Sequence, residues 1–87
     1  MNRDGYDDWE AHRLRYAFEE ADRLIKLYNE ENVEYLEYIS DQSKPVQEYC
    51  MMKIWMLLHT NGIYMEHKIY RKKDKIRVCI RLASTEN

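Results

Sequence analysis

The residues best placed to do chemistry lie near the end of the chain. Tyr64, Lys68, Tyr70, Lys75, Arg77 and Arg81 fall on one face of an expected hairpin, with Arg71, Lys72 and Lys73 at its tip. Basic side chains interleaved with aromatics suit nucleic acid, because cations meet phosphates while tyrosine rings stack on bases. The same pattern also suits a solvated sheet face, on which lysine and arginine guard against edge pairing.

A second set is acidic. Asp7, Asp8, Glu10, Glu19, Glu20 and Asp22 lie along an expected first helix, with Glu30, Glu31, Glu34 and Glu37 further on. Carboxylates spaced along a helix can imitate a phosphate backbone and occupy a partner's nucleic-acid groove. Arg13, Arg15, Arg23 and Lys26 interrupt the run. Those bases weaken the mimicry, and a solvated face stitched by ion pairs is the better reading.

The remaining chemistry-bearing side chains are His12, His59, His67, Cys50 and Cys79. None makes a Cys-x-x-Cys or His-Glu-x-x-His spacing, so no metal is expected. A nucleophilic cysteine would need a histidine base supplied by the fold. Glu66 and His67 would lie close to Cys79 in the expected hairpin, but buried structural thiols are the commoner arrangement. Two glycines in the whole chain leave no phosphate-cradling loop. No catalytic residue and no cofactor are therefore expected, and the chain reads as a non-enzyme.

The element that must position these groups is Ser43 to Gly62. Ser43 is a good N-cap and Pro45 sits in the first turn, where a missing N–H costs nothing. Asn61-Gly62 supplies the stop, since either residue can turn left-handed. Between them Val46, Tyr49, Cys50, Met51, Met52, Ile54, Trp55, Met56, Leu57 and Leu58 leave almost no polar face. A helix apolar nearly all round is normally buried. Its three methionines also suit an adaptable groove. Lys53 and its length keep it from spanning a bilayer.

Before it, Leu14, Ala17, Ala21, Leu24 and Tyr28 recur at helical spacing, with Phe18 and Ile25 widening the stripe. This predicts an amphipathic helix over 8–28, opened by an Asp7/Glu10 capping box. Glu19 with Arg23 and Asp22 with Lys26 stand four apart, in the supportive order. A break at Asn29–Asn32 is expected, with Asn32 capping a short second helix over 33–41. One unbroken helix would be about 50 Å long, and such a rod would imply a dimer.

After Gly62 the apolar period becomes two. Ile63, Met65, His67 and Ile69 form one strand face and Ile76, Val78, Ile80 and Leu82 another. Arg71 to Asp74 then make a four-residue loop that pairs Ile69 with Ile76. The expected fold is α+β: two or three N-terminal helices, with a buried central helix at about 44–60 packed on an antiparallel hairpin at 63–82. All 87 residues form one small domain, with loose tails at 1–6 and 84–87.

Net charge is −2, but it divides along the chain. Residues 4–41 carry twelve acids and four bases, whereas residues 63–82 carry seven bases and two acids. Two distant cysteines suggest reduced thiols in a cytoplasmic protein, and the polar start lacks a secretory h-region. A compact, tyrosine-rich, charge-divided domain suggests a small regulator or inhibitor that binds a protein or nucleoprotein. Phage and mobile-element products include many such chains, anti-CRISPR inhibitors of host nucleases among them. Direct nucleic-acid binding through the hairpin is the alternative. Self-association through the 14–28 stripe or the hairpin edge is compatible with either, and no membrane partner is expected.

Overall fold

The computed structural model describes the backbone of residues 4–85 and the side chains of residues 10–85. Five elements follow in order: α1 (Asp4–Glu31), β1 (Tyr35–Ser40), α2 (Lys44–Thr60), β2 (Ile63–Lys72) and β3 (Lys75–Ser84). The architecture is α+β, with two helices and one three-stranded sheet ordered β1-β3-β2.

β3 occupies the middle and runs antiparallel to both neighbours. β1 and β2 are therefore parallel to each other with β3 inserted between them, a split βαβ unit. Two parallel strands need a crossover of a dozen residues or more, and the 17-residue α2 provides it.

The sheet buries one face. Ile76, Val78, Ile80 and Leu82 of β3 point inward with Ile63 and Met65 of β2. They meet Cys50, Met51, Ile54 and Leu58 of α2 and Ala17, Ala21 and Leu24 of α1. The alanines, one turn apart, let the two helix backbones approach closely. Leu36 and Tyr38 of β1 pack partly against this core. Both helices cover the same side, so the molecule is only 19 Å through its thinnest dimension. The other face of the sheet is open, as antiparallel sheets allow.

Several expectations need correction. Residues 33–41 form no helix. Tyr35–Ser40 is a strand lying on β3, with Leu36 opposite Ile80 and Tyr38 opposite Val78. Pairing with the otherwise unfilled edge of β3 decides this segment, and Val33, Tyr35, Tyr38 and Ile39 have the side chains that strands favour. Asn32 does not cap a helix start. It has φ 58°, the left-handed conformation that ends one, and the Val33 N–H returns to the Leu27 carbonyl at 3.1 Å. The helix also begins by Asp4, which puts Asp7 inside it rather than at its cap.

The hairpin turn is tighter than expected. Lys72 pairs with Lys75, leaving a two-residue turn at Lys73-Asp74 with Lys73 at φ 59°. Ile69 consequently faces Val78, not Ile76. A slip of two residues leaves every side chain on the same face, so alternation alone could not distinguish the registers.

The α2 boundaries match expectation, but not every detail does. Ser43 makes no side-chain cap, and its carbonyl instead accepts the Gln47 N–H at 2.8 Å. Gly62 supplies the left-handed turn at φ 78°. The helix is buried along one side only: Met52 and Met56 are 54% and 52% exposed, and Trp55 stands beside them, stacked on His59. Phe18 likewise faces outward from α1 rather than joining its buried stripe. The expected loose tails lie partly outside the described residues. Ser84 closes β3, and the Thr85 N–H bonds the Gly62 carbonyl at 3.1 Å.

Where the two helices and β1 converge, the core is polar. Gln47 is fully buried. Its Oε1 accepts from the Ser40 and Tyr16 hydroxyls, and its Nε2 donates to the Tyr38 hydroxyl at 3.3 Å. Ser40 Oγ in turn accepts the Gln42 N–H at 3.0 Å. Burial, and then the negative Glu20 nearby, push the Tyr16 phenol up. Burial, with Tyr16 and Glu20 nearby, does so more strongly for Tyr38. Both hydroxyls therefore stay neutral, Tyr16 donating to Gln47 and Tyr38 accepting from it. Gln47→Ala removes the shared partner and leaves a void, and should cost about 2–4 kcal/mol of unfolding free energy in urea titrations. Glu48→Ala, one residue on and exposed, should stay within about 0.5 kcal/mol.

Candidate partner-binding face

The open face of the sheet is assembled in cross-strand rows. One row sets Tyr35 beside Arg81 beside Glu66, and the next sets Glu37 beside Cys79 beside Lys68. A third sets Ile39 beside Arg77 beside Tyr70, with Tyr64 next to Ala83 at the far end. Strand alternation brings these side chains out together. Tyr35, Ile39, Tyr64 and Tyr70 are each roughly half exposed, at 49%, 55%, 42% and 48%.

The centre of the face is held in place by its own contacts. Arg77 donates from Nη2 and Nε to Glu37 Oε1 at 2.6 and 3.1 Å. The Tyr35 hydroxyl donates to the other carboxylate oxygen of Glu37. The Arg81 guanidinium lies 5.9 Å from the Tyr35 ring centroid, within cation–π range. The Tyr35 hydroxyl and then Arg77 hold the Glu37 carboxyl below the usual range. The same hydrogen bond pushes the Tyr35 phenol well up, and Glu37 raises Arg77.

The expected hairpin set is therefore largely together. Tyr64, Lys68, Tyr70, Lys75, Arg77 and Arg81 share the open face, and Lys72 joins them by alternation. Arg71 sits opposite Ile76, so its side chain leaves from the helix-covered side of the strand, where it is exposed at the tip. Lys73 occupies the turn itself. Tyr35, Glu37 and Ile39 were not anticipated here, because their segment reads as a helix from sequence. Their own alternation with Leu36, Tyr38 and Ser40 was the available signal.

The acidic set is more scattered. The Asp7 and Asp8 side chains lie outside the described residues. Glu10 accepts a hydrogen bond from the Tyr49 hydroxyl at 3.1 Å, which ties it to α2. Arg23 pairs with Glu20 at 2.7 Å, not with Glu19 as the spacing suggested, and lies 5.8 Å from the Tyr38 ring. Glu19 and Asp22 are exposed, but helical spacing places Arg15 and Lys26, also exposed, on the same face. That face carries a base at either end of two acids and does not present a continuous acidic stripe.

The thiols and imidazoles do not converge. Cys79 lies on the open face between Glu37 and Lys68, whereas His67 leaves β2 on the opposite side, paired with Ile80. Partial desolvation holds His67 below the usual imidazole range, and Glu48 opposes the shift. Cys50 is buried, its Sγ 3.9 Å from the Arg13 carbonyl, and burial pushes its thiol up. Among the described residues no group of three or more His, Cys, Asp or Glu side chains could hold a metal. No helix there is long and apolar enough to cross a membrane.

The two free cysteines offer a direct check on this geometry. A thiol reagent should modify Cys79 in the native protein, while Cys50 should react at least about 100-fold more slowly until denaturant opens the core. Equal rates for both would contradict the placement of Cys50. No protein-family model matches the chain, and neither a curated protein nor a solved structure matches it significantly.

Proposed function

We propose that the chain is a small non-enzymatic regulatory protein that acts by occupying a macromolecular partner, a protein or nucleoprotein, through the open face of the sheet. The observation that carries this reading is the aromatic and arginine patch in which Glu37 fixes Tyr35 and Arg77, the Tyr35 ring meets Arg81, and Tyr70 stands beside Arg77. Tyrosine and arginine dominate the energetics of protein interfaces. Side chains already held in one geometry lose less entropy on binding. Inhibitors of host defence nucleases carried by phages and mobile elements, of the anti-CRISPR kind, are the class of regulator we place first.

Direct nucleic-acid binding is the second reading, favoured by one feature. Arg71, Lys72, Lys73 and Lys75 are all exposed around a two-residue turn, a compact cationic tip for phosphate. The two readings differ in their response to salt. Contacts from four cations to a single strand should weaken about 50-fold between about 50 and 200 mM salt. A patch anchored by tyrosines should change far less.

Two variants and one capture experiment separate them. The protein, immobilised and exposed to host lysate, should retain a protein partner after nuclease treatment. Tyr35→Ser with Tyr70→Ser should weaken that complex by about 30-fold or more, with a normal circular-dichroism spectrum. Lys72→Glu, Lys73→Glu and Lys75→Glu together should alter it little. If only nucleic acid is recovered, and the lysine variant rather than the tyrosine variant loses it, the tip reading replaces the face reading.

A further inference from the structure

β2 is an edge strand of ten residues, and the residues it points away from β3 can be identified. Lys72 and Lys75 flank a two-residue turn and form a hydrogen-bonded pair. The Thr85 N–H to Gly62 carbonyl bond lies on the same ladder. Even-numbered residues of β2 therefore bond to β3. Ile63, Met65, His67, Ile69 and Arg71 turn their N–H and C=O groups to the free edge.

That edge is complementary to itself. In an antiparallel pairing of two β2 strands about a two-fold axis at His67, Met65 meets the second copy's Ile69 on the helix side. Tyr64 meets the second copy's Tyr70 on the open side. Glu66 stands directly opposite the second copy's Lys68, and by symmetry the pair occurs twice. These two residues fall in the non-hydrogen-bonded rows, where cross-strand side chains come closest. The neighbouring registers, with the axis at Glu66 or Lys68, set like charges opposite each other, Glu66 on Glu66 or Lys68 on Lys68. An axis at Met65 loses the Glu66–Lys68 match, and one at Ile69 exchanges it for Glu66 opposite Lys72 on a shorter ladder. An open groove runs round this edge, lined by Trp55, Met65 and His67 on the helix side and by Glu66, Lys68 and Tyr70 on the open face, where it reaches Tyr35, Cys79 and Arg81. Met52 and Met56 extend the exposed apolar side of α2 next to it.

We propose that the chain forms a two-fold dimer through β2, joining two three-stranded sheets into one of six strands, with the α2 residues Met52, Trp55 and Met56 packed against those of the second copy. The pairing satisfies the outward backbone groups of β2 and covers the exposed methionines and tryptophan. It lies in the plane of the sheet and leaves Tyr35, Arg77 and Arg81 uncovered; of the partner-binding patch it engages Tyr70 alone, which comes beside the second copy's Tyr64.

The test is sedimentation equilibrium on the full chain across a concentration series. The wild type should approach twice its 10.8 kDa monomer mass. Glu66→Lys opposes lysine to lysine in both symmetric pairs and should weaken association at least about tenfold. Glu66→Lys combined with Lys68→Glu restores the pairing with its signs exchanged and should recover the dimer. His67→Pro removes the N–H at the axis, which an edge strand tolerates, and should give a folded monomer by circular dichroism. A wild type that stays monomeric throughout overturns the proposal and leaves the edge open to an extended peptide of another protein. A dimer that survives both Glu66→Lys and His67→Pro also overturns it, since association must then use another surface such as α1.

Discussion

The structure depends on β3 being paired along both edges while burying one face. Ile76, Val78, Ile80 and Leu82 alternate inward without interruption, so both helices must lie on that side of the sheet. Its two neighbours come from very different distances in sequence. β2 arrives through a two-residue turn at little entropic cost, whereas β1 must close a loop containing all of α2 and β2. That long closure is reinforced by the polar cluster at Gln47, which ties the end of β1 at Ser40 and Tyr38 to α2, and reaches α1 at Tyr16. A glutamine buried without partners would be costly. In this position it specifies which strand lies beneath the helix crossing, because apolar side chains alone would accept a slipped arrangement.

Where local pattern and tertiary demand agree, the sequence is a sufficient guide. The inward faces of β2 and β3, the limits of α2 and the buried stripe of α1 can all be read from periodicity and from Pro45, Asn61 and Gly62. Residues 33–41 are different. Tyr35 and Ile39 stand four apart and extend a helical stripe on paper, yet both emerge on the open side of a strand. The deciding term is the unfilled edge of β3, and a local window cannot contain it. Asn32 is ambiguous for the same reason: it can start a helix or end one, and its left-handed backbone settles the choice.

The candidate face was half legible on the same grounds. Alternation in the hairpin placed Tyr64, Lys68, Tyr70, Arg77 and Arg81 together whichever two-residue register was chosen. Missing β1 concealed Glu37, and with it the electrostatic character of the patch. Seven bases at the C-terminal end suggest a phosphate surface, but Arg77 is occupied by Glu37, and Glu66 faces Arg81 across the strands. What remains strongly cationic is the turn. The face is better described as tyrosine and arginine held by a carboxylate, with a basic tip beside it.

Two exposed apolar surfaces on so small a domain require separate explanations, because they point in different directions. Tyr35, Ile39, Tyr64 and Tyr70 look out along the sheet normal, whereas Met52, Trp55 and Met56 flank the β2 edge. A chain of this size buries a modest fraction of its surface and gains little stability from a single core. Covering the edge adds to that core and leaves Tyr35, Arg77 and Arg81 of the open face free. Pairing β2 with its copy would also bring Tyr64 of one protomer beside Tyr70 of the other, so the aromatic rows would run unbroken across the two-fold axis. A partner with a flat or itself two-fold surface would then meet two copies of Tyr35, Arg77 and Arg81 at a fixed separation. The second contact becomes effectively intramolecular once the first is made. The in-plane edge and the open face would thus act in series: one sets the spacing of the other.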